Sequence, residues 1–129
     1  MSSILLALAL TVASEHPATT DVTTANNWVG LVDAKRWNDS WDAAGTLFKS
    51  QMPQPRWAST IQSVREPLGT VSSRSVTSVT KATSLPGAPD GDYEVVQFRT
   101  SFANKADATE TIVLSRETSG WKVVGYFVR

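Results

Sequence analysis

The chain has 129 residues, 12 Lys and Arg against 12 Asp and Glu, one His, no Cys, and 41% hydrophobic residues. At roughly 100–200 residues per domain, this is one domain around one core. Zero net charge removes the electrostatic case for nucleic acid or an anionic membrane as partner; the missing cysteines exclude disulfides, thiolate nucleophiles and thiolate-bound metals; and the single histidine, His16, is too few for a His-built metal site.

The N-terminus reads as an export signal. Residues 4–13 form an apolar run from Ile4 to Ala13, too short for the about 20 residues of a membrane-spanning helix. Small residues at Ala13 and Ser14 offer a cleavage point, so residues 1–14 are the expected signal segment and 20–129 the mature domain. No Lys or Arg precedes the run, so the amino terminus alone supplies the positive charge. A buried N-terminal helix is the competing reading, and the polar stretch from Glu15 to Thr24 gives it no amphipathic continuation. The expected location is periplasmic or secreted. His16 then lies at the new N-terminus, away from any site.

Helices fill the first half. One starts near Thr20 or Asp21 and is expected to run to about Arg36, with Val22, Ala25, Trp28 or Val29, and Val32 on one stripe. Asn38, Asp39 or Ser40 is expected to cap a second helix carrying Trp37, Trp41, Ala44 and Phe48 to a stop at Pro53. Asn38-Asp39-Ser40 also matches a glycosylation acceptor, a triplet that arises often by chance. Gly45 inside that helix predicts close approach of another element. Pro55 starts a third helix with Trp57, Ile61, Val64 and Leu68 on its stripe, and Pro67 ends it by disfavouring helical geometry at Glu66.

Strands fill the second half. Val71 to Ser84 is a long Val, Ser and Thr run that needs a bulge to stay on a sheet. The turn cluster Leu85-Pro86-Gly87-Ala88-Pro89-Asp90-Gly91 leads to a strand from Tyr93 to Phe102, with Val96, Phe98, Thr100 and Phe102 inward. Asn104 to Asp107 then turns into a strand from Ala108 to Arg116, and Ser119-Gly120 turns into the last. Alternation puts Ile112 and Leu114 inward on the third strand and Trp121, Val123, Gly125 and Phe127 together on the fourth. The predicted class is α+β: N-terminal helices on one face of a curved, mainly antiparallel four-stranded sheet. The other face would carry Tyr93, Val95, Gln97, Arg99, Thr111, Val113, Lys122, Val124, Tyr126 and Val128. That mixture is too apolar for plain solvent and too polar for a closed core.

Three blocks of residues carry a resemblance. They are Trp28 with Leu31-Val32-Asp33, Ser40-Trp41 and Trp57; Arg65-Glu66-Pro67-Leu68-Gly69 with Ser73-Arg74; and the Leu85–Gly91 turn with Phe102-Ala103-Asn104-Lys105, Glu110-Thr111 and Gly125-Tyr126-Phe127. Over about residues 25–129 the chain resembles the bacterial family called domain of unknown function 4019. The resemblance implies an exported or envelope protein and brings no activity and no catalytic residues. The order of helices and strands is similar to the cystatin-like and nuclear-transport-factor-like architecture, an analogy of fold that does not fix function.

Candidate site residues follow from residue chemistry. A pocket between helices and sheet would draw on Trp28, Trp41, Trp57, Arg65, Arg74, Glu110 and Tyr126, with Asp33 and Asp42 as further acids and Tyr93 as a further donor. Glu110 shares a face with Ile112 and Leu114, so it must be paired or protonated. Pairing with Arg65 or Arg74, tying helices to sheet, is the favoured reading of it. The helical spacing of the tryptophans favours core packing over an aromatic ligand pocket. Arg65 is either an anion anchor or a brace for the helix-to-strand corner.

Two functions remain. The favoured one is a non-catalytic binding or protein-interaction module of the bacterial envelope, using the face of Tyr93, Gln97, Arg99, Lys122 and Val124, with a protein partner or a second copy. The alternative is a small-molecule binder or enzyme with a pocket between the helices and the concave sheet face. No catalytic constellation, metal or cofactor is expected.

Overall fold

The computed structural model describes residues 20–129; the expected signal segment, residues 1–14, and His16 lie outside them. Among the described residues four α-helices precede four strands: α1 Thr20–Asp33, α2 Trp37–Asp42, α3 Thr46–Gln51 and α4 Gln54–Arg65, then β1 Val71–Ala82, β2 Tyr93–Phe102, β3 Lys105–Glu117 and β4 Gly120–Val128. The strands form one antiparallel sheet in the order β1-β2-β3-β4. This is the α+β fold expected from helices followed by a meander.

The core lies between the helices and one sheet face. Val22, Ala25, Trp28, Val29 and Val32 of α1 meet Phe48, Trp57 and Ile61 from the later helices and Val96, Phe98, Ile112, Leu114 and Val123 from the sheet. The helical layer lies over β4, β3 and β2. No described helix is long and apolar enough to cross a membrane.

Four helix boundaries depart from expectation. The first helix stops at Asp33 and not near Arg36, because Lys35 adopts φ +61° and the chain closes back with Lys35 N–H on Val32 O and Arg36 N–H on Leu31 O. The helix expected from residue 38 to Pro53 is two short ones. Gly45 turns extended between them and its N–H donates to Val123 O of β4 at 2.8 Å. That close approach is why residue 45 is glycine: a Cβ there would sit 2.9 Å from Val124 Cγ1. The N-cap of α2 is Arg36, with no side-chain cap, and not Asn38, Asp39 or Ser40. At the end of α4, Glu66 keeps right-handed helical geometry despite Pro67, and the chain runs on as a single 3-10 turn, Glu66–Leu68. Arg65, not Val64, continues the buried stripe of Trp57 and Ile61; Val64 is exposed.

The sheet boundaries differ less. The β2–β3 turn is only Ala103-Asn104, since Phe102 already pairs with Lys105, so β3 begins three residues before Ala108. The expected irregularity of the long first strand is present, with register shifts between Val71 and Ser73 and between Val76 and Ser78.

A further shift, in the β3–β4 pairing, reassigns faces on β4. Val113 pairs with Gly125 but Leu114 pairs with Val123, so Val124 is an extra residue. A one-residue bulge inverts the alternation beyond it. Tyr126 therefore pairs beside Ile112 on the core side, whereas Phe127 is 62% exposed. Tyr126 and Val128 thus leave the outer face to which alternation assigned them, and Gly125 and Phe127 leave the core face.

Candidate functional site

The polar centre of the molecule is built where α1 and α4 end against β1, β2 and β3. Asp33 closes α1 one turn beyond Val29, Arg65 closes α4 one turn beyond Ile61, Arg74 lies on β1, Thr100 on β2, Glu110 on β3 and Tyr126 on β4. Glu110 is 0% exposed. Its Oε1 accepts from Arg74 Nε at 2.7 Å and from the Thr100 hydroxyl; its Oε2 accepts from Arg74 Nη2 at 3.2 Å and from the Tyr126 hydroxyl.

Arg74 turns its remaining edge to Asp33, donating from Nη1 to Oδ2 at 2.7 Å and from Nη2 to Oδ1 at 3.0 Å. Arg65 Nη2 reaches the same Oδ1 at 2.7 Å, and its guanidinium lies 5.0 Å over the Phe102 ring. Two carboxylates and two guanidiniums therefore alternate through the interior, neutral as a set. This is the pairing expected for Glu110, with Arg74 as its partner and Arg65 assigned to Asp33.

Electrostatics follow the geometry. Burial pushes the Asp33 carboxyl up, but the hydrogen bonds and charges of Arg74 and Arg65 outweigh it and hold it below its ordinary value. Burial opposes the charge of Arg74, yet Asp33 and Glu110 raise its pKa further. Burial and the Glu110 charge keep Tyr126 protonated, with its pKa raised well above the ordinary phenol. A tyrosine held this way is a hydrogen-bond donor and not a base.

Trp28 and Trp57 are core. Trp28 packs 6.0 Å from Trp57 and 5.5 Å from Tyr126, and Phe48 meets Trp57 edge-on at 4.9 Å. Their indole N–H groups are used internally: Trp28 donates to Ser40 O at 2.8 Å and Trp57 to Ser40 Oγ at 2.9 Å. Trp41 is apart from this group, with its N–H on Met52 O at 2.6 Å and Lys49 over its ring. The seven residues expected to line a pocket thus divide into a packed aromatic set, an ion network and the separate Trp41.

Parts of two of the blocks, Pro67-Leu68-Gly69 and Ala103-Asn104, meet at the same end. Gly69, at φ +81°, brings the backbone against the β2–β3 turn, where a Cβ would lie 3.0 Å from Ala103 Cβ. Asn104 seals the junction, its N–H on Leu68 O at 2.8 Å and its side chain donating to Pro67 O at 3.0 Å. Beside it lies a surface cleft of about 470 Å³ lined by Val32, Asp33, Lys35, Trp37, Arg65 and Gly69 among others. Arg65 Nε and Nη1 are buried without partners there.

The five residues expected on one interaction face are dispersed. Tyr93 is 4% exposed, and its hydroxyl donates to Pro89 O of the loop that covers it. Val124 packs against the core cluster beside Gly45. Lys122 is half-buried at the same junction, Gln97 bonds Thr111 Oγ1 at 3.2 Å, and only Arg99 is fully open, in an exposed pair with Asp107.

Two groups escaped the sequence reading. Asp33 appeared only as one acid among several, although its place one turn past Val29 puts it on the buried stripe. Glu94 was not named, although alternation places it with Val96 and Phe98. It is buried, hydrogen-bonded to Asp21, with Lys81 Nζ at 3.7 Å and Oε1 unpartnered. Burial and Asp21 raise its pKa against the opposing pull of Lys81. Among the described residues, no three His, Cys, Asp or Glu side chains are grouped to hold a metal ion.

The family model described as a protein of unknown function (DUF4019) matches residues 24–126. No curated protein matches the chain.

Proposed function

The chain belongs to the DUF4019 family, a membership that brings no activity, and from its interior we propose that it is a non-catalytic protein-interaction module of the bacterial envelope, exported by its N-terminal segment. One observation carries the reading: around Glu110 the space between helices and sheet is occupied by side chains. Trp28, Trp57, Phe48 and Tyr126 occupy it, and both Glu110 oxygens are committed to partners. A general acid or base must reach substrate, and Glu110 has no open side. Phe127 and the exposed edge of β1 instead offer apolar surface to another protein.

The test is light scattering of the full chain from micromolar to nanomolar concentration, with chemical cross-linking in the cells that export it. The expected result is self-association or a discrete cross-linked adduct mapped to the sheet. A strict monomer with no adduct contradicts the reading.

The unpartnered N–H groups of Arg65 beside the cleft at Asp33 favour a second reading, a small anion bound at that corner. A rise in melting temperature with simple carboxylates or phosphate, lost in Arg65→Met, would support it; no shift would remove it.

A further inference from the structure

The sheet has two edges, and they differ. The β4 edge is met by the helical half: Gly45 N–H donates to Val123 O at 2.8 Å, and α1 and α3 pack on β4. The β1 edge has β2 on one side and, among the described residues, no strand on the other. The described helices stop short of it, so Val76 and Val79 are each 44% exposed on the helix side of the sheet. The strand carries no proline and a single lysine, Lys81. Long, open edges of this kind are usually blocked, because their free N–H and C=O groups invite another strand.

We propose that β1 pairs antiparallel with β1 of a second copy, joining two four-stranded sheets into one across a twofold axis between Thr77 and Ser78. The inference rests on the reading of the chain as an interaction module and names its partner. Two features of the strand carry it.

The first is chemical. Ser75-Val76-Thr77-Ser78-Val79-Thr80 reads nearly the same in both directions by residue character. Antiparallel pairing about its centre therefore sets Val76 against Val79 of the other copy, Ser75 against Thr80, and Thr77 against Ser78, each twice.

The second is geometric. Residues three apart normally point to opposite faces of a strand, which would forbid Val76 and Val79 from meeting across the twofold. Here the extra residue between Val76 and Ser78 shifts the alternation. Val76 pairs beside Phe98 and Val79 beside Val96, both core-side positions, while Ser75 and Thr80 pair beside Arg99 and Val95 on the other face. The bulge makes the register face-consistent along the strand. Four valines then form one apolar cluster that the helices leave uncovered.

Arg74 falls opposite Lys81 in this register, and each brings its own counter-charge: Arg74 is bound by Asp33 and Glu110, and Lys81 lies beside Glu94. The like-charge cost at that pair is thereby reduced.

The test compares the full chain with Val76→Lys/Val79→Lys and with Phe127→Asp by light scattering at micromolar concentration. The wild type and Phe127→Asp should show twice the chain mass, and the double-lysine variant half of that with unchanged far-ultraviolet circular dichroism. Because the chain has no cysteine, a 1:1 mixture of Val76→Cys and Val79→Cys should cross-link under mild oxidation into the mixed dimer in preference to either homodimer. A monomeric wild type overturns the pairing, as do equal cross-linking of the homodimers and a double-lysine variant that stays dimeric. A dimer lost in Phe127→Asp but retained in the double-lysine variant overturns the β1 pairing while leaving the interaction-module reading intact. A monomer with cross-linked partners elsewhere on the sheet does the same.

Discussion

Tyr126 donates its hydroxyl to Oε2 of Glu110, joining the last strand to a carboxylate that has no contact with solvent. The bond exists because Val124 is an extra residue in β4. Without that bulge the phenol would face outward and Phe127 inward. The network of Asp33, Arg65, Arg74, Glu110 and Tyr126 therefore depends on one irregularity in strand pairing as much as on the identities of its members.

Tyr126→Phe keeps the ring against Trp28 and removes only the hydroxyl, leaving Glu110 Oε2 with Arg74 Nη2 at 3.2 Å as its partner. A hydrogen bond to a charged group contributes about 1.5–3 kcal/mol. Urea unfolding should show a loss in that range with an unchanged m value. A neutral substitution would mean that water replaces the phenol at a carboxylate otherwise shut off from it.

Glu94 gives the opposite pH signature to Asp33. Its folded-state pKa is raised by burial and by Asp21, so the folded chain holds a proton that the unfolded chain releases, and stability from this group falls as pH rises above about 4.3. Glu94→Gln keeps a neutral, hydrogen-bonding side chain and removes that penalty. The variant is expected to melt a few degrees above wild type at pH 7.5, with the gap closing toward pH 4; about 1 kcal/mol corresponds to several degrees in a domain of this size. A variant that melts lower at every pH would show that the Lys81 contact outweighs the buried charge.

Asp33 is held below its ordinary pKa by two guanidiniums. Its contribution is complete above the unfolded value near about 3.9 and is lost as pH falls through the lower folded value. Unfolding free energy should therefore drop on acidification in that window. Asp33→Asn, already about 2 kcal/mol or more less stable at pH 7 from the broken pairs, should lack that component of the acid slope. Parallel acid slopes for the two proteins would contradict the assignment.

Gly45 tolerates no side chain. A Cβ would meet Glu117 Oε2 at 2.7 Å and Val124 Cγ1 at 2.9 Å; the carboxylate end can swing away, but Val124 is packed into the core. Gly45→Ala should cost about 1–3 kcal/mol, as overpacking does, despite the usual advantage of alanine over glycine. Combining it with Val124→Ala should recover part of the loss. Failure of the second change to help would place the strain on the Gly45–Val123 backbone bond instead.

How much of this could be read from the sequence depended on the range of the interactions. Alternation from Val96 to Phe102 identified the core face of β2 because local period and burial agree there. The charge pairing of Glu110 was legible because a carboxylate between Ile112 and Leu114 has few alternatives. Glu94 follows the same alternation, but its partners Asp21 and Lys81 come from α1 and β1 and leave no local signal. The break between α2 and α3 was partly signalled by Gly45, but the acceptor that pulls its N–H out of the helix is Val123, far along the chain. Val64 looked like the continuation of the α4 stripe on hydrophobicity alone. Arg65 takes that place because Asp33 and the Phe102 ring supply what a buried guanidinium needs. The Val124 bulge has no local signature, so Tyr126 and Phe127 exchanged faces unannounced.

The buried ions tie the helices to the sheet, and we propose that this bracing is their role. The most direct measurement is a double-mutant cycle of unfolding free energies on Arg74→Met, Glu110→Leu and the two combined. Removing one member of a buried pair strands the other and costs about 3–5 kcal/mol, whereas replacing both with apolar groups costs far less. The expected result is a large loss of stability in each single variant and, in the double variant, a loss well below the sum of the two. Single variants as stable as wild type, or more so, would contradict the claim, since residues kept for function at the expense of stability behave in that way.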